Sequence, residues 1–239
     1  DTVELDSDSD GLLDWEESLW GTDPKNPDSD GNGISDGDEI NARKNELGIS
    51  ENTDDLNETE RFSQEFFATI VSLRQQGLLN ETSIANLANT IGKEIASGTE
   101  KNFYQERELM INPSADAKIA YAHDLADLFK EMEKTTNIGT EITLVSELLN
   151  NQTSRAYDLR KLGSKYKEFA ETALQISVPS SMSGLHLQLV NTIHNLGVGT
   201  EKLGEILTNP ILGLQGISEY TKQSEAFIQI SEQIRDKII

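Results

Sequence analysis

Acidic side chains recur at alternate positions in two short stretches near the start of this 239-residue chain. Both stretches follow the pattern D-x-[DN]-x-[DN]-G-x-x-D-x-x-E. A calcium ion takes about six to eight oxygen ligands from a tightly turned loop, and glycine at the sixth position permits that turn. The spacing therefore predicts two bound calcium ions, one in each loop. The side chains concerned are Asp6, Asp8, Asp10, Asp14 and Glu17 in loop 1 (residues 6–17), and Asp28, Asp30, Asn32, Asp36 and Glu39 in loop 2 (residues 28–39).

Backbone carbonyl groups at the seventh position, those of Leu12 and Ile34, complete the predicted ligand sets. The aspartate at position nine binds directly or through water, and the glutamate at position twelve binds through both oxygens. Leu13 can anchor loop 1 through an apolar contact, whereas the matching residue of loop 2 is Ser35. Loop 2 also carries Asn32 in place of an aspartate. We therefore expect loop 2 to bind calcium more weakly than loop 1.

An acidic, glycine-containing stretch can also be a solvated linker that binds nothing. Six constrained positions in the same order, present twice, favour metal binding over that alternative. Residues 1–60 contain 20 acidic and 3 basic residues, so they carry −17 of the net charge of −22. Such a surface repels nucleic acid and anionic membranes, and we expect neither as a partner.

The composition also narrows the compartment in which the protein works. There is no cysteine, hence no disulfide and no thiolate metal site. No run of about eighteen apolar residues occurs, so no membrane insertion of this chain is expected. Low-affinity calcium loops suit an extracellular setting, where calcium is plentiful. We expect an extracellular or cell-surface protein whose signal or anchor lay upstream of Asp1.

The surroundings of the loops differ from those of a calcium sensor. Five residues precede loop 1 and ten separate the loops, which leaves no room for paired helix–loop–helix units.

The segment DSDSDGLLDWEESLWGTDPKNPDSDGNGISDGDE resembles the thrombospondin type 3 calcium repeats of bacterial surface and secreted proteins, over residues 4–41. That resemblance implies Asp23, in the Gly-Thr-Asp-Pro connector, as an auxiliary ligand or a brace of the turn. Dockerin modules, which have a longer spacer containing a full helix, match less well.

The rest of the chain has the periodicity of helices, with almost no strand signal. We predict an all-α fold in which a calcium-loop segment (1–48) precedes a helical bundle (49–239). The predicted core faces are Phe62, Phe66, Ile70 and Leu73; Ile84, Leu87, Ile91 and Ile95; Ile119, Ala122, Ala126, Phe129 and Met132; and Tyr157, Leu162, Tyr166, Phe169 and Ala173. Later helices are predicted at 185–196, 203–207 and 217–238.

No catalytic motif occurs in the helical part, so we predict a protein that is not an enzyme. His186 and His194 are expected to be packing residues, because a metal-binding pair on a helix is usually spaced by three or four residues. Trp15 is expected to pack the acidic segment against itself or the bundle. The last helix carries nearly heptad-spaced apolar residues at Tyr220, Phe227, Ile230 and Ile234, which either join the bundle core or form a seam for self-association.

These observations together predict a calcium-binding surface protein in which metal makes an acidic arm rigid and the arm presents a helical interaction or assembly domain. A protein partner or a second copy is the expected partner of that domain. Two alternatives stay open: a ligand-binding helical ectodomain, which needs an apolar cavity, and a cell-wall-directed enzyme. Removal of calcium is expected to unfold the arm and to leave most helices intact.

Overall fold

The computed structural model describes residues 5–46, 58–94, 102–114, 116–136 and 140–238, and within these ranges the chain is mostly helical. The prediction of a mainly α-helical protein is confirmed. Two short strands, β1 (Met110–Asn112) and β2 (Ser177–Pro179), pair in parallel. The helices of the described ranges are α1 (Asp14–Trp20), α2 (Asp36–Glu46), α3 (Glu58–Gln75), α4 (Glu81–Glu94), α5 (Ala117–Thr135), α6 (Thr140–Leu149), α7 (Arg155–Leu174), α8 (Ser183–Leu203) and α9 (Pro210–Ile238).

Helices α7, α8 and α9 form the centre of the body and touch through glycines. A Cβ atom on Gly163 of α7 would lie 2.6 Å from the carbonyl oxygen of Gly197 on α8. A Cβ atom on Gly216 of α9 would lie 2.7 Å from the backbone nitrogen of Leu203. Only glycine permits backbones this close. The prediction of separate helices at 185–196 and 203–207 is wrong, because α8 continues through the glycines after Leu196 to Leu203, and residues 204–208 form turns.

Helix α9 begins earlier than the predicted start at 217. Pro210 opens the helix, where its missing N–H costs nothing, and the Oδ1 atom of Asn209 accepts a hydrogen bond from the Leu212 N–H at 3.1 Å. The apolar residues of α9, for which a seam between two copies was one of the two expectations, pack inside this chain. Ile230 and Ile234 are buried, and the rings of Phe227 and Phe129 meet edge to face at 5.7 Å between centroids.

Core faces were predicted correctly for α3 and in part elsewhere. The four α3 residues are buried, as are Ile84 and Leu87 of α4, while the side chain of Ile91 and residue 95 lie outside the described part of the chain. On α5 the predicted face is wrong at Ile119, which is 68% exposed, and at Ala126, which is also exposed, because Tyr121 turns inward to bond His186. The observed α5 face is Ala117, Tyr121, Leu125, Leu128 and Met132.

A similar rotation affects α7. Tyr157, predicted to lie in the core, is 64% exposed, and Leu159 is buried instead; Leu162 is half-buried. Tyr166, Phe169 and Ala173 are buried as expected. None of the helices within the described ranges is both long enough and apolar enough to cross a lipid bilayer.

The short helix α1 joins the acidic segment to the body. Trp15 and Leu19 are 2% exposed and belong to the same apolar cluster as the helices of the body. The ring of Trp15 lies 5.4 Å from that of Phe62 and 5.8 Å from that of Phe66, between centroids. The expectation that Trp15 is a packing residue is thus confirmed. The apolar core crosses the predicted boundary at residue 48.

Candidate metal site

Loop 1 gathers three carboxylates into one small volume. Oxygen atoms of Asp6, Asp8 and Asp10 lie within 4.8 Å of one another, and no other group of three or more acidic or histidine side chains does so in the described residues. The backbone turns sharply at Gly11, whose φ is +93°, and the Gly11 N–H donates to Asp6 Oδ2 at 3.1 Å. The Leu12 N–H donates to Asp10 Oδ1 at 2.8 Å. The loop backbone thus orients the carboxylates toward a common centre.

Two carboxylate oxygens at loop 1 are buried without a hydrogen-bond donor: Asp8 Oδ2 and Glu17 Oε2. Glu17 is fully buried, and its other oxygen, Oε1, accepts a hydrogen bond from the Thr22 hydroxyl at 3.3 Å. Burial, together with the neighbouring charges of Asp8 and Asp10, raises the pKa of Glu17 to about 8. Burial is also the main cause that raises the pKa of Asp8. Buried oxygens without donors in an acidic cluster are the environment that a cation satisfies.

Asp14, at the ninth position, closes the loop. Its carboxylate accepts hydrogen bonds from the Ser7 N–H at 2.8 Å and from the Ser7 hydroxyl at 2.7 Å. Its own N–H donates to the carbonyl oxygen of Leu5 at 2.8 Å. Asp14 is also the first residue of α1, so these bonds fix where the exit helix of loop 1 begins.

Loop 2 repeats the backbone geometry of loop 1. Asp36 accepts from the Ser29 N–H at 3.1 Å and donates its own N–H to the Pro27 carbonyl at 3.0 Å. The Gly33 N–H, at a residue with φ +91°, donates to Asp28 Oδ2 at 2.9 Å. These are the same bonds at the same loop positions as in loop 1. The two stretches of similar sequence therefore fold alike.

The side chains of loop 2 are satisfied differently. The Asn32 amide donates to Glu39 Oε1 at 2.8 Å and to Asp30 Oδ2 at 3.1 Å. Ile34 is 52% exposed, whereas Leu12, at the same position of loop 1, is fully buried. The hydroxyl oxygen of Ser35 accepts from the Asp38 N–H at 3.1 Å and caps α2, so it does not anchor the loop in the core. Loop 2 is consequently more exposed than loop 1, and the Asn32 amide supplies hydrogen-bond donors to two of its carboxylates.

The connector residue Asp23 makes bonds within the turn between the loops. Its N–H donates to the hydroxyl of Ser29 at 2.7 Å, and its Oδ1 atom accepts from the Lys25 N–H at 3.2 Å. Gly21, with φ +85°, ends α1 in the left-handed conformation. Of the two expectations for Asp23, these contacts match the brace of the turn.

Sequence reasoning missed three contacts that join the loops to their surroundings. The Gly37 N–H of α2 donates to Asp10 Oδ2 at 2.7 Å, so loop 1 contacts the exit helix of loop 2. Lys44 of α2 forms a buried ion pair with Glu16 of α1, at 2.6 Å between Nζ and Oε1. The Thr69 hydroxyl of α3 donates to the same oxygen at 2.8 Å. The only indication of this ion pair in the sequence is a lysine in a strongly acidic segment, which does not show which acidic residue it pairs with.

Two buried polar side chains of the body, His186 and Glu141, make hydrogen bonds between helices. His186 is fully buried between the Tyr121 hydroxyl and the Ala173 carbonyl oxygen, each at 3.0 Å, and burial lowers its pKa to about 4. The carboxylate of Glu141 accepts from the Tyr166 hydroxyl at 2.5 Å and from the Tyr220 hydroxyl at 2.7 Å. These groups hold helices together, and the expectation that His186 is a packing residue is confirmed.

His194 also packs, by stacking on the ring of Phe103 at 3.9 Å between centroids. A wide-open depression between α5, α6 and α7 is lined by both lysine and acidic side chains, including Lys134, Lys161 and Asp158. It lacks the enclosed apolar walls that a ligand-binding ectodomain needs.

The chain was compared with protein-family models, with curated proteins and with solved structures, and nothing matches it.

Proposed function

We propose that this protein binds two calcium ions through loops 1 and 2, outside the cell, and uses them to hold an acidic segment on a helical interaction domain. The observation that carries the proposal is the pair of buried oxygens, Asp8 Oδ2 and Glu17 Oε2, that lack donors next to Asp6 and Asp10. The resemblance of the same residues to thrombospondin type 3 repeats of bacterial surface proteins also favours it.

The proposed ligands of loop 1 are all oxygen atoms, which favours calcium over softer metals. Calcium is also preferred to magnesium, because magnesium keeps several of its waters and seldom uses a cage made wholly of protein groups. When bound, the ion offsets the negative charge of the clustered carboxylates. The proposed set comprises Asp6, Asp8, Asp10, the Leu12 carbonyl, Asp14 and Glu17, with Asp28, Asp30, Asn32, the Ile34 carbonyl, Asp36 and Glu39 as the second set.

The loops themselves hold their shape through backbone hydrogen bonds to carboxylates. Asp14 and Asp36 bind the backbone at the start of their loops and set the first residue of α1 and α2. At a free calcium concentration of about one hundred times the dissociation constant, each site adds about 2.7 kcal/mol to the stability of the folded chain. In surroundings rich in calcium the acidic segment is thus kept folded against the body, and the helices are left to contact a protein partner or a second copy.

Terbium luminescence tests this proposal directly. Terbium replaces calcium at oxygen sites, and Trp15 lies one residue beyond Asp14, close enough to excite it. We expect sensitised emission in the wild type that calcium displaces, and loss of most of it in Glu17→Gln. Asp124→Asn, which changes an exposed carboxylate of α5, is the matched control and should leave emission unchanged. Equal emission from all three proteins would contradict the proposed site.

A further inference from the structure

One carboxylate oxygen joins three helices that belong to different parts of the molecule. Glu16 Oε1 binds Lys44 Nζ at 2.6 Å and the Thr69 hydroxyl at 2.8 Å. The three residues come from α1, α2 and α3, and their exposed fractions are 4%, 5% and 0%. The ion pair is shielded from water, so it depends on good geometry to offset the cost of burying two charges.

Two of these three residues are positioned by the loops. Glu16 lies two residues after Asp14, and Asp14 fixes the start of α1 through its bonds to Ser7. Lys44 lies on α2, which begins at Asp36, the matching residue of loop 2. The positions of Glu16 and Lys44 therefore depend on the shape of both loops.

The third residue belongs to the helical body. Thr69 is on α3, the helix whose Phe62 and Phe66 receive the ring of Trp15. Movement of α1 would separate Trp15 from these rings and Glu16 from Thr69 together. A charged pair that loses its geometry in a buried position is strongly unfavourable, which makes intermediate positions of α1 unstable.

We propose that Glu16, Lys44 and Thr69 form a latch through which the loops and helix α3 stabilise each other, so that the helical body responds to calcium. This inference rests on the proposed function, because it requires that the loops bind calcium. Coupling between two sites is reciprocal. A change on the body side of the latch, at a residue that is not a proposed ligand, must therefore weaken calcium binding.

Calorimetric titration of the 239-residue chain with calcium tests the latch. Thr69→Val keeps the shape of the side chain and removes the hydroxyl that binds Glu16, and we expect it to weaken calcium binding by at least about threefold. Ser72→Ala is the matched control, because Ser72 is a buried hydroxyl of the same helix whose oxygen has no hydrogen-bond partner. It should bind calcium as the wild type does. Thr69→Ser keeps a hydroxyl and should restore most of the affinity.

Hydrogen exchange supplies a second readout that does not depend on affinity. Calcium should slow exchange of the α3 amides at residues 62–73 in the wild type, and slow it much less in Thr69→Val. Residues 189–203 of α8, in the centre of the body, are the internal reference. Unchanged affinity in Thr69→Val, or α3 exchange that ignores calcium while the loops bind it normally, would overturn the latch. Failure of the wild type to bind calcium would instead refute the proposed function and the latch with it.

Discussion

Replacing Glu17 with glutamine should make the calcium-free protein more stable, although it removes a proposed ligand. Glu17 is fully buried, one of its oxygens has no donor, and Asp8 and Asp10 lie nearby, so its negative charge is unfavourable without metal. The folded chain raises its pKa from 4.5 to about 8. Glutamine has nearly the same shape and no charge.

The size and sign of this effect follow from proton linkage. Between pH 4.5 and about 8 the folded chain holds a proton on Glu17 that the unfolded chain has released, so stability falls as pH rises through this window. One pKa unit corresponds to about 1.36 kcal/mol, which puts the upper limit near 4 kcal/mol at about pH 7.5. Because the metal-free loop can relax toward water, we expect Glu17→Gln to gain about 1–3 kcal/mol in chelator.

Urea unfolding, measured in chelator and in excess calcium, provides the assay. The gain of Glu17→Gln in chelator should grow from pH 5 to pH 8 and turn into a loss when calcium is present. Glu39→Gln, the matching change in loop 2, should show no such gain, because Glu39 is only half-buried and accepts a hydrogen bond from Asn32. Destabilisation by Glu17→Gln in chelator, or an equal gain in Glu39→Gln, would refute this reasoning.

Three further predictions concern packing, acid stability and the loop turn. Gly197→Ala should destabilise the protein by about 1–3 kcal/mol in thermal unfolding, since a Cβ atom there meets the Gly163 carbonyl oxygen at 2.6 Å, while Gly184→Ala, with open space around it, should be neutral or stabilising. Burial lowers the pKa of His186 from 6.5 to about 4, so stability should fall as pH drops through that window, and His186→Gln should show a weaker dependence by circular dichroism. Gly11→Ala should cost about 1 kcal/mol or more in the same unfolding assay, because φ at this residue is +93°.

Local patterns predicted local structure well. The α3 stripe from Phe62 to Leu73 is buried because it is the one strongly apolar face of that helix. The turns at Gly11 and Gly33 have the positive φ that the loop pattern demands. In both cases the information lies within a few residues of the element that it shapes.

The sequence predictions failed where contacts between residues far apart in the sequence determine the structure. The face of α5 depends on the bond between Tyr121 and His186, which are 65 residues apart, and periodicity contains no record of it. The Glu16–Lys44 pair is separated by 28 residues and likewise could not be read from spacing. Helix α8 continues through Gly197 because Gly163 lies opposite, again a tertiary reason. Nor does spacing alone show that Glu17 is fully buried with one oxygen lacking a donor, while Glu39 is half-buried.

The central claim is that loops 1 and 2 bind calcium, and isothermal titration of chelator-stripped protein with calcium tests it most directly. We predict two ions per chain, with the tighter site lost in Asp8→Asn and the weaker site lost in Asp28→Asn. Absence of binding, or a stoichiometry and affinity that neither substitution changes, would contradict the account.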